Sequence, residues 1–260
     1  MANISLRDLL EAGVHFGHRT RLWNPKMRRY IYGEKNGVHI IDLQQTARAL
    51  VDVTRFVETE VSRGSTILFV GTKRAAREIV AEQAEHCNMF YVNNRWLGGT
   101  LTNFQTVKKS IERLISLERA RDEGRFDLLT KKEALDLTRR ISKMDRSLGG
   151  IKLMKGLPKL MFVIDPKREH IAVSEANKLG IPVVALCDTN CDPTGINHVI
   201  PGNDDAIKSI RLFTAAIADA VLTGKNLGRD EAGASAAATG AEMSDVEVIR
   251  RTEVYEEEGE

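Results

Sequence analysis

Aromatic side chains make up only 5% of this chain of 260 residues. A core with so few rings has to be built from aliphatic residues packed in strands and helices. There are three cysteines, Cys87, Cys187 and Cys191. Their odd number and wide spacing exclude a disulfide framework and read as reduced thiols of the cytoplasm. The doubled CxxC spacing of a structural zinc site is also missing. No apolar run approaches the ~20 residues that a membrane span requires. The first residues, MANISLRDLLEAG, carry Asp8 and Glu11 and lack the apolar centre of an export signal. Neither GxGxxG nor GxxxxGK(S/T) occurs, so two nucleotide-binding fingerprints are absent. No local pattern assembles a Ser/His/Asp or Cys/His arrangement, which leaves catalysis without support.

Charge is present but segregated. The formal net charge is +2. From Arg229 to Glu260 three basic residues meet ten acidic ones, whereas the preceding 228 residues carry 35 basic and 26 acidic. A basic body with an acidic tail points to a polyanionic partner for the body. Two stretches concentrate the surplus. Between Phe16 and Tyr32 there are five bases, one histidine and four aromatics, and no acid. Between Gln105 and Lys159 there are 15 bases and eight acids.

Short apolar runs alternate with helical segments over much of the chain. Val38–Ile41, Ile67–Val70, Phe90–Val92, Leu160–Ile164, Val183–Cys187 and Val199–Ile200 read as strands, and 46–61, 74–86, 169–179 and 204–222 as helices. Runs that are apolar throughout imply a parallel sheet covered on both faces, an α/β fold. The alternation stops between Phe104 and Pro158. There Phe104, Val107, Ile111 and Leu114, and then Ala134, Leu137, Ile141, Met144 and Leu148, follow a 3-4 spacing. This predicts an antiparallel coiled-coil hairpin inserted into the α/β domain, with Gly124 ending its first arm. Thr102 with Gln105, and Thr130 with Glu133, have the spacing of capping boxes at the two helix starts. The divisions are then a basic segment over 1–37, an α/β domain over 38–103 and 156–226, the hairpin over 104–155, and a disordered acidic tail over 227–260.

Four groups of residues invite a chemical reading. Gly71-Thr72-Lys73-Arg74 follows a strand and opens a helix, a place that favours an anion, although a tight turn with two exposed bases explains it more simply. Asp165 and Asp188 end strands, where open α/β sheets carry ligand sites, but carboxylates there also cap loops. Cys187 reads as a buried strand end. A metal held by separated residues, such as His18 with Asp188 and Asp204, stays open. The acid-free stretch HFGHRTRLWNPKMRRYIY is the strongest. Arg19, Arg21, Lys26, Arg28 and Arg29 can neutralise phosphates, and His18, Trp23 and Asn24 can stack on or hydrogen-bond to an unpaired nucleotide. Trp23 and Tyr30 packed on the domain, with the bases reaching out, is the structural alternative.

NNRWLGGTLTNF (Asn93–Phe104) joins a strand to the hairpin. Asn93, Asn94 and Arg95 can reach a nucleic-acid backbone, while Trp96 reads as a core plug at the hairpin root. Along the arms, Lys108, Lys109, Arg113, Lys131, Lys132, Arg139 and Arg140 form a basic surface.

Eight stretches in this order resemble one family. They are LLEAGVHFGHRTRLWNPKM, ILFVGTKRAA, NNRWLGGTLTNF, LTKKEAL, SLGGIK, LPKLMFVIDP, EANKLGIPVVALCDTN and IPGNDDAI. The resemblance is to bacterial small-subunit ribosomal protein two, and it covers about residues 5–222. It implies a flavodoxin-like three-layer α/β/α fold with a projecting coiled-coil hairpin. It also implies a structural, non-enzymatic role in the cytoplasmic small ribosomal subunit, between head and body. The partners it implies are small-subunit ribosomal RNA and neighbouring ribosomal proteins, including the large one that captures messenger RNA. It implies no small-molecule substrate, no membrane and no obligatory cofactor; zinc is associated with some members, and for this chain a zinc or magnesium ion stays open.

Overall fold

The structure, a computed structural model, describes residues 4–229. Helix α1 (Leu6–Glu11) leads into strand β1 (Phe16–Arg19), and β2 (Ile31–Lys35) and β3 (Val38–Ile41) follow. These three form an antiparallel sheet of order β1-β3-β2. Val38–Ile41 therefore does not belong to the parallel sheet that its apolar composition suggests. The turn between β2 and β3 explains this. Asn36 and Gly37 both have positive φ, at 54° and 74°, and an Asn-Gly pair in that conformation folds the chain back as a two-residue hairpin.

The main sheet contains β4 (Ile67–Val70), β5 (Phe90–Val92), β6 (Leu160–Ile164), β7 (Val183–Cys187) and β8 (His198–Pro201). All pairs are parallel, in the order β5-β4-β6-β7-β8. Every residue of β4, β6 and β7 is buried. Because side chains alternate, each strand feeds two cores. Ile67, Phe69, Leu160, Phe162 and Ile164 face helices α2 (Leu43–Ser62), α3 (Arg77–His86) and α7 (residues 207–229). Leu68, Val70, Met161 and Val163 face α6 (His170–Lys178), Trp96 and the hairpin root. This is a flavodoxin-like doubly wound α/β fold. Residues 227–229 continue α7, so the tail does not begin at 227. Residues 230–260 lie outside the described residues.

The hairpin consists of α4 (Phe104–Asp122) and α5 (Lys131–Leu148). Gly124 takes φ 72° just after the first arm, a left-handed conformation that glycine adopts without penalty. Ile111, Leu114, Ile141 and Leu148 are buried along the seam, with Phe104, Val107 and Met144 partly buried beside them. Thr130 and Glu133 form the expected capping box. Thr102 and Gln105 do not. Asn103 is the N-cap of α4 and makes no side-chain cap, because Thr102 is bonded elsewhere. At the root the Lys152 ammonium lies 2.7 Å from Glu118 of α4 and 2.5 Å from Asp145 of α5, tying the arms together. The backbone at Gly150 crosses so close to Tyr91 that a Cβ there would fall 2.2 Å from the Tyr91 carbonyl oxygen.

Candidate nucleic-acid interface

The basic N-terminal stretch is held against the carboxyl end of β7. Asn24 N donates to the Thr189 carbonyl at 2.8 Å, and His18 N donates to Asp188 Oδ1 at 3.1 Å and to Thr189 Oγ1 at 3.0 Å. Gly17 leaves no room for a side chain, since a Cβ would lie 2.7 Å from Thr189 Cγ2. Packed in this way, the stretch presents Arg19, Arg21, Arg28 and Arg29 as exposed side chains. The Arg29 guanidinium lies 4.6 Å from the centre of the Tyr30 ring, a cation–π contact. Trp23 is partly buried and tilted against His39, with ring centres 5.2 Å apart. Asn24 Oδ1 caps the Lys26 N–H at 3.0 Å.

Lys26 and His18, both in the predicted set, are tied by their side chains to the loops beyond β7 and β8. Lys26 Nζ binds Asp192 Oδ2 at 2.9 Å and donates to Thr194 Oγ1 at 2.7 Å, strapping the segment to the loop after β7. The Thr194 hydroxyl and N–H, together with Lys26, hold the Asp192 carboxyl down to about 2. His18 points inward. Its Nδ1 lies 2.8 Å from Asp188 Oδ2 and its Nε2 lies 3.5 Å from Asp205 Oδ2. The contact with Asp188 pushes its pKa up.

His18 borders a buried acidic centre assembled from distant segments. Lys73 Nζ lies 2.7 Å from Asp204 Oδ1, 2.5 Å from Asp205 Oδ1 and 3.8 Å from Asp165 Oδ2. Lys73 is therefore not the exposed base expected of the turn after β4 but the countercharge of three aspartates. Asp204 Oδ2 is buried without a hydrogen-bond partner among the described residues. Burial, with Asp165 and Asp188 close by, pushes the Asp204 carboxyl up to about 7, against the pull of Lys73. Donor atoms of His18, Asp188, Asp204 and Asp205 lie within 4.8 Å of one another. One imidazole and three carboxylates form a donor set that fits a divalent cation.

The stretch from Asn93 to Phe104 is organised by a residue the sequence reading passed over. Glu175, on α6, is buried. Its Oε1 accepts from Trp96 Nε1 at 3.1 Å and Gly99 N at 2.7 Å. Its Oε2 accepts from Leu101 N at 3.0 Å and from Thr102 N and Oγ1, each at 3.1 Å. Trp96 is thus a core residue with its indole N–H satisfied. Asn93 Nδ2 donates to the Arg77 carbonyl at 3.0 Å. Asn94 and Arg95 stand at the mouth of a cleft of about 450 Å³.

On the hairpin, Lys108, Lys109, Arg113, Lys131, Lys132, Arg139 and Arg140 are all exposed, off the apolar seam. Arg139 lies 3.7 Å from Asp136. None of the other six forms an ion pair among the described residues. The packed arms fix these bases on one scaffold. Among the described residues no helix is long and apolar enough to cross a membrane.

The fold and this surface define an α/β protein with exposed bases grouped on a docked N-terminal segment and on a helical hairpin. The family model described as ribosomal protein S2 matches residues 9–224. Two curated relatives carry the name small ribosomal subunit protein uS2. The one from Geotalea uraniireducens is 58% identical over 224 residues, covering 86% of this chain and 88% of the relative. The one from Acidobacterium capsulatum is 54% identical over 231 residues, covering 89% of this chain and 77% of the relative. The chain belongs to the ribosomal protein S2 family, whose members are structural proteins of the small ribosomal subunit and not enzymes.

Proposed function

We propose that this chain binds small-subunit ribosomal RNA between the head and body of the cytoplasmic subunit. The observation that carries this reading is the set of exposed bases on two preassembled elements. Arg19, Arg21, Arg28 and Arg29 stand on the docked N-terminal segment, and the seven hairpin bases on α4 and α5. Such bases gain affinity by neutralising phosphates and releasing counterions, and preassembled arms lose little backbone entropy on binding. The direct test is crosslinking of the full chain to small subunits stripped of it. RNA crosslinks should map to Arg19–Arg29 and to the arms. Crosslinks confined to other surfaces would remove the assignment. Family resemblance supports a second task, helping to dock the large messenger-capturing ribosomal protein beside other subunit proteins. Subunits lacking this chain should then lose that protein and regain it on adding the chain back.

A second reading concerns the acidic centre. The unpartnered Asp204 oxygen favours a zinc or magnesium ion held by His18, Asp188, Asp204 and Asp205, where Lys73 supplies a single positive charge. Elemental analysis of the purified chain should find one ion per protein, lost in Asp204→Asn. A metal-free wild-type chain equilibrated with both ions would overturn it.

A further inference from the structure

We propose that the cleft between the carboxyl ends of β4 and β6 receives a phosphate group of ribosomal RNA on Arg77, Arg95 and Arg168. This rests on the RNA-binding reading above and gives it a specific pocket. The strand order places β4 beside β6, while their connections leave in opposite directions, to β5 and to β7. A doubly wound sheet opens a crevice at such a switch point, where ligands of this architecture are held. Here the crevice has a volume of about 450 Å³, within the usual range for a small-ligand site.

Its walls come from the segments that follow three strands, including the first turns of α3 and α6. Thr72 and Arg77 follow β4, Asn94 and Arg95 follow β5, and Arg168 and Glu169 follow β6. Thr72 organises two of the guanidiniums. Its carbonyl accepts from Arg77 Nε at 3.0 Å, and its hydroxyl oxygen accepts from Arg168 Nε at 3.0 Å. In turn the Thr72 hydroxyl donates to Glu169 Oε1 at 2.5 Å, and its N–H to the same oxygen at 3.1 Å. Both arginines are therefore anchored through Nε. Among the described residues, neither makes a hydrogen bond or ion pair through its Nη groups, and Arg95 makes none at all. A guanidinium held at Nε with its Nη edge free is set up to grip phosphate oxygens. Among the described residues Glu169 is the one carboxylate lining the cleft, against three guanidiniums, and it is already engaged by Thr72. Helices α3 and α6 begin beside the cleft without side-chain caps, and their amino-terminal ends favour an anion. The charge of Lys73, by contrast, is turned away into the acidic centre.

A phosphate here could come from RNA or from a free nucleotide, and the test separates the two. Arg95→Gln with Arg168→Gln, in the full chain, should melt as the wild type does. Its affinity for stripped small subunits should fall at least ~10-fold near physiological salt, and its salt slope should become shallower by up to about one, the share of a single phosphate. Arg95→Lys with Arg168→Lys should recover part of both. If the glutamine pair loses its melting transition, Arg95→Gln alone decides, with a smaller loss of affinity and a slope no steeper than that of the wild type. Unchanged affinity and slope in a folded variant would overturn the proposal. Calorimetry with adenosine monophosphate should show no binding by the wild type. Saturable binding that the glutamine pair abolishes would assign the cleft to a free nucleotide and overturn the RNA source. A wild-type chain that does not bind stripped subunits would fail the RNA reading itself, and this proposal with it.

Discussion

Glu175 shows how much one side chain can organise. Its two carboxylate oxygens accept five hydrogen bonds from Trp96, Gly99, Leu101 and Thr102. Replacement by alanine leaves buried donors with no acceptor, and hydrogen bonds to a charged group are the costly ones to lose. Glu175→Ala is expected to lower stability by about 3 kcal/mol in denaturant unfolding. Burial pushes the Glu175 carboxyl up, but the bonds from Trp96 and the backbone N–H groups outweigh it and hold the carboxyl below its ordinary 4.5. The native state therefore binds that proton less readily than the unfolded chain. The stability it contributes is complete above about 4.5 and is lost as pH falls through the lower native value. Glu175→Gln should flatten that part of the stability–pH curve, and an unchanged curve would contradict the assignment. None of this was legible in the sequence, because Glu175 lies 73–79 residues from its donors. For the same reason Lys73 read as an exposed base of a tight turn, when its partners are Asp204 and Asp205, 131 and 132 residues further along.

At the scale of elements, local pattern was the better guide. The 3-4 spacing from Phe104 to Leu148 located both arms, and Ile111 and Ile141 are each 4% exposed on the seam. Truncating either to alanine should cost ~2–5 kcal/mol of hairpin stability, read by hydrogen exchange in α4 and α5. Protection as high as wild type in the double variant would contradict the seam. Thr130 and Glu133 make their capping box because nothing else competes for them. Thr102 has the same spacing to Gln105, but Glu175 holds its hydroxyl and N–H, so tertiary contact overrides the local motif. The N-terminal sheet was missed although its signal was present. Asn36-Gly37 marks a two-residue hairpin, and it places Val38–Ile41 in an antiparallel sheet. At the hairpin root, Gly150→Ala would drive a methyl group into the Tyr91 carbonyl. The root should undock, raising exchange in α5 while the main sheet keeps its protection.

For the whole molecule, the division of labour follows from where charge and apolar residues fall. Strands β4, β6 and β7 are apolar and buried throughout, so bases lie outside them, many on the N-terminal segment and the hairpin and others on the segments that follow the strands. Helical packing holds one group and the strap to Asp188, Thr189 and Asp192 holds the other. The most direct measurement is co-sedimentation of the full chain with small ribosomal subunits stripped of it, over a salt series. Stoichiometric binding is expected at low salt. The logarithm of the affinity should then fall linearly with that of the salt concentration, with a slope corresponding to ~6–10 neutralised phosphates. A chain that stays in the supernatant at every salt concentration would contradict the reading of these bases as an RNA-binding surface.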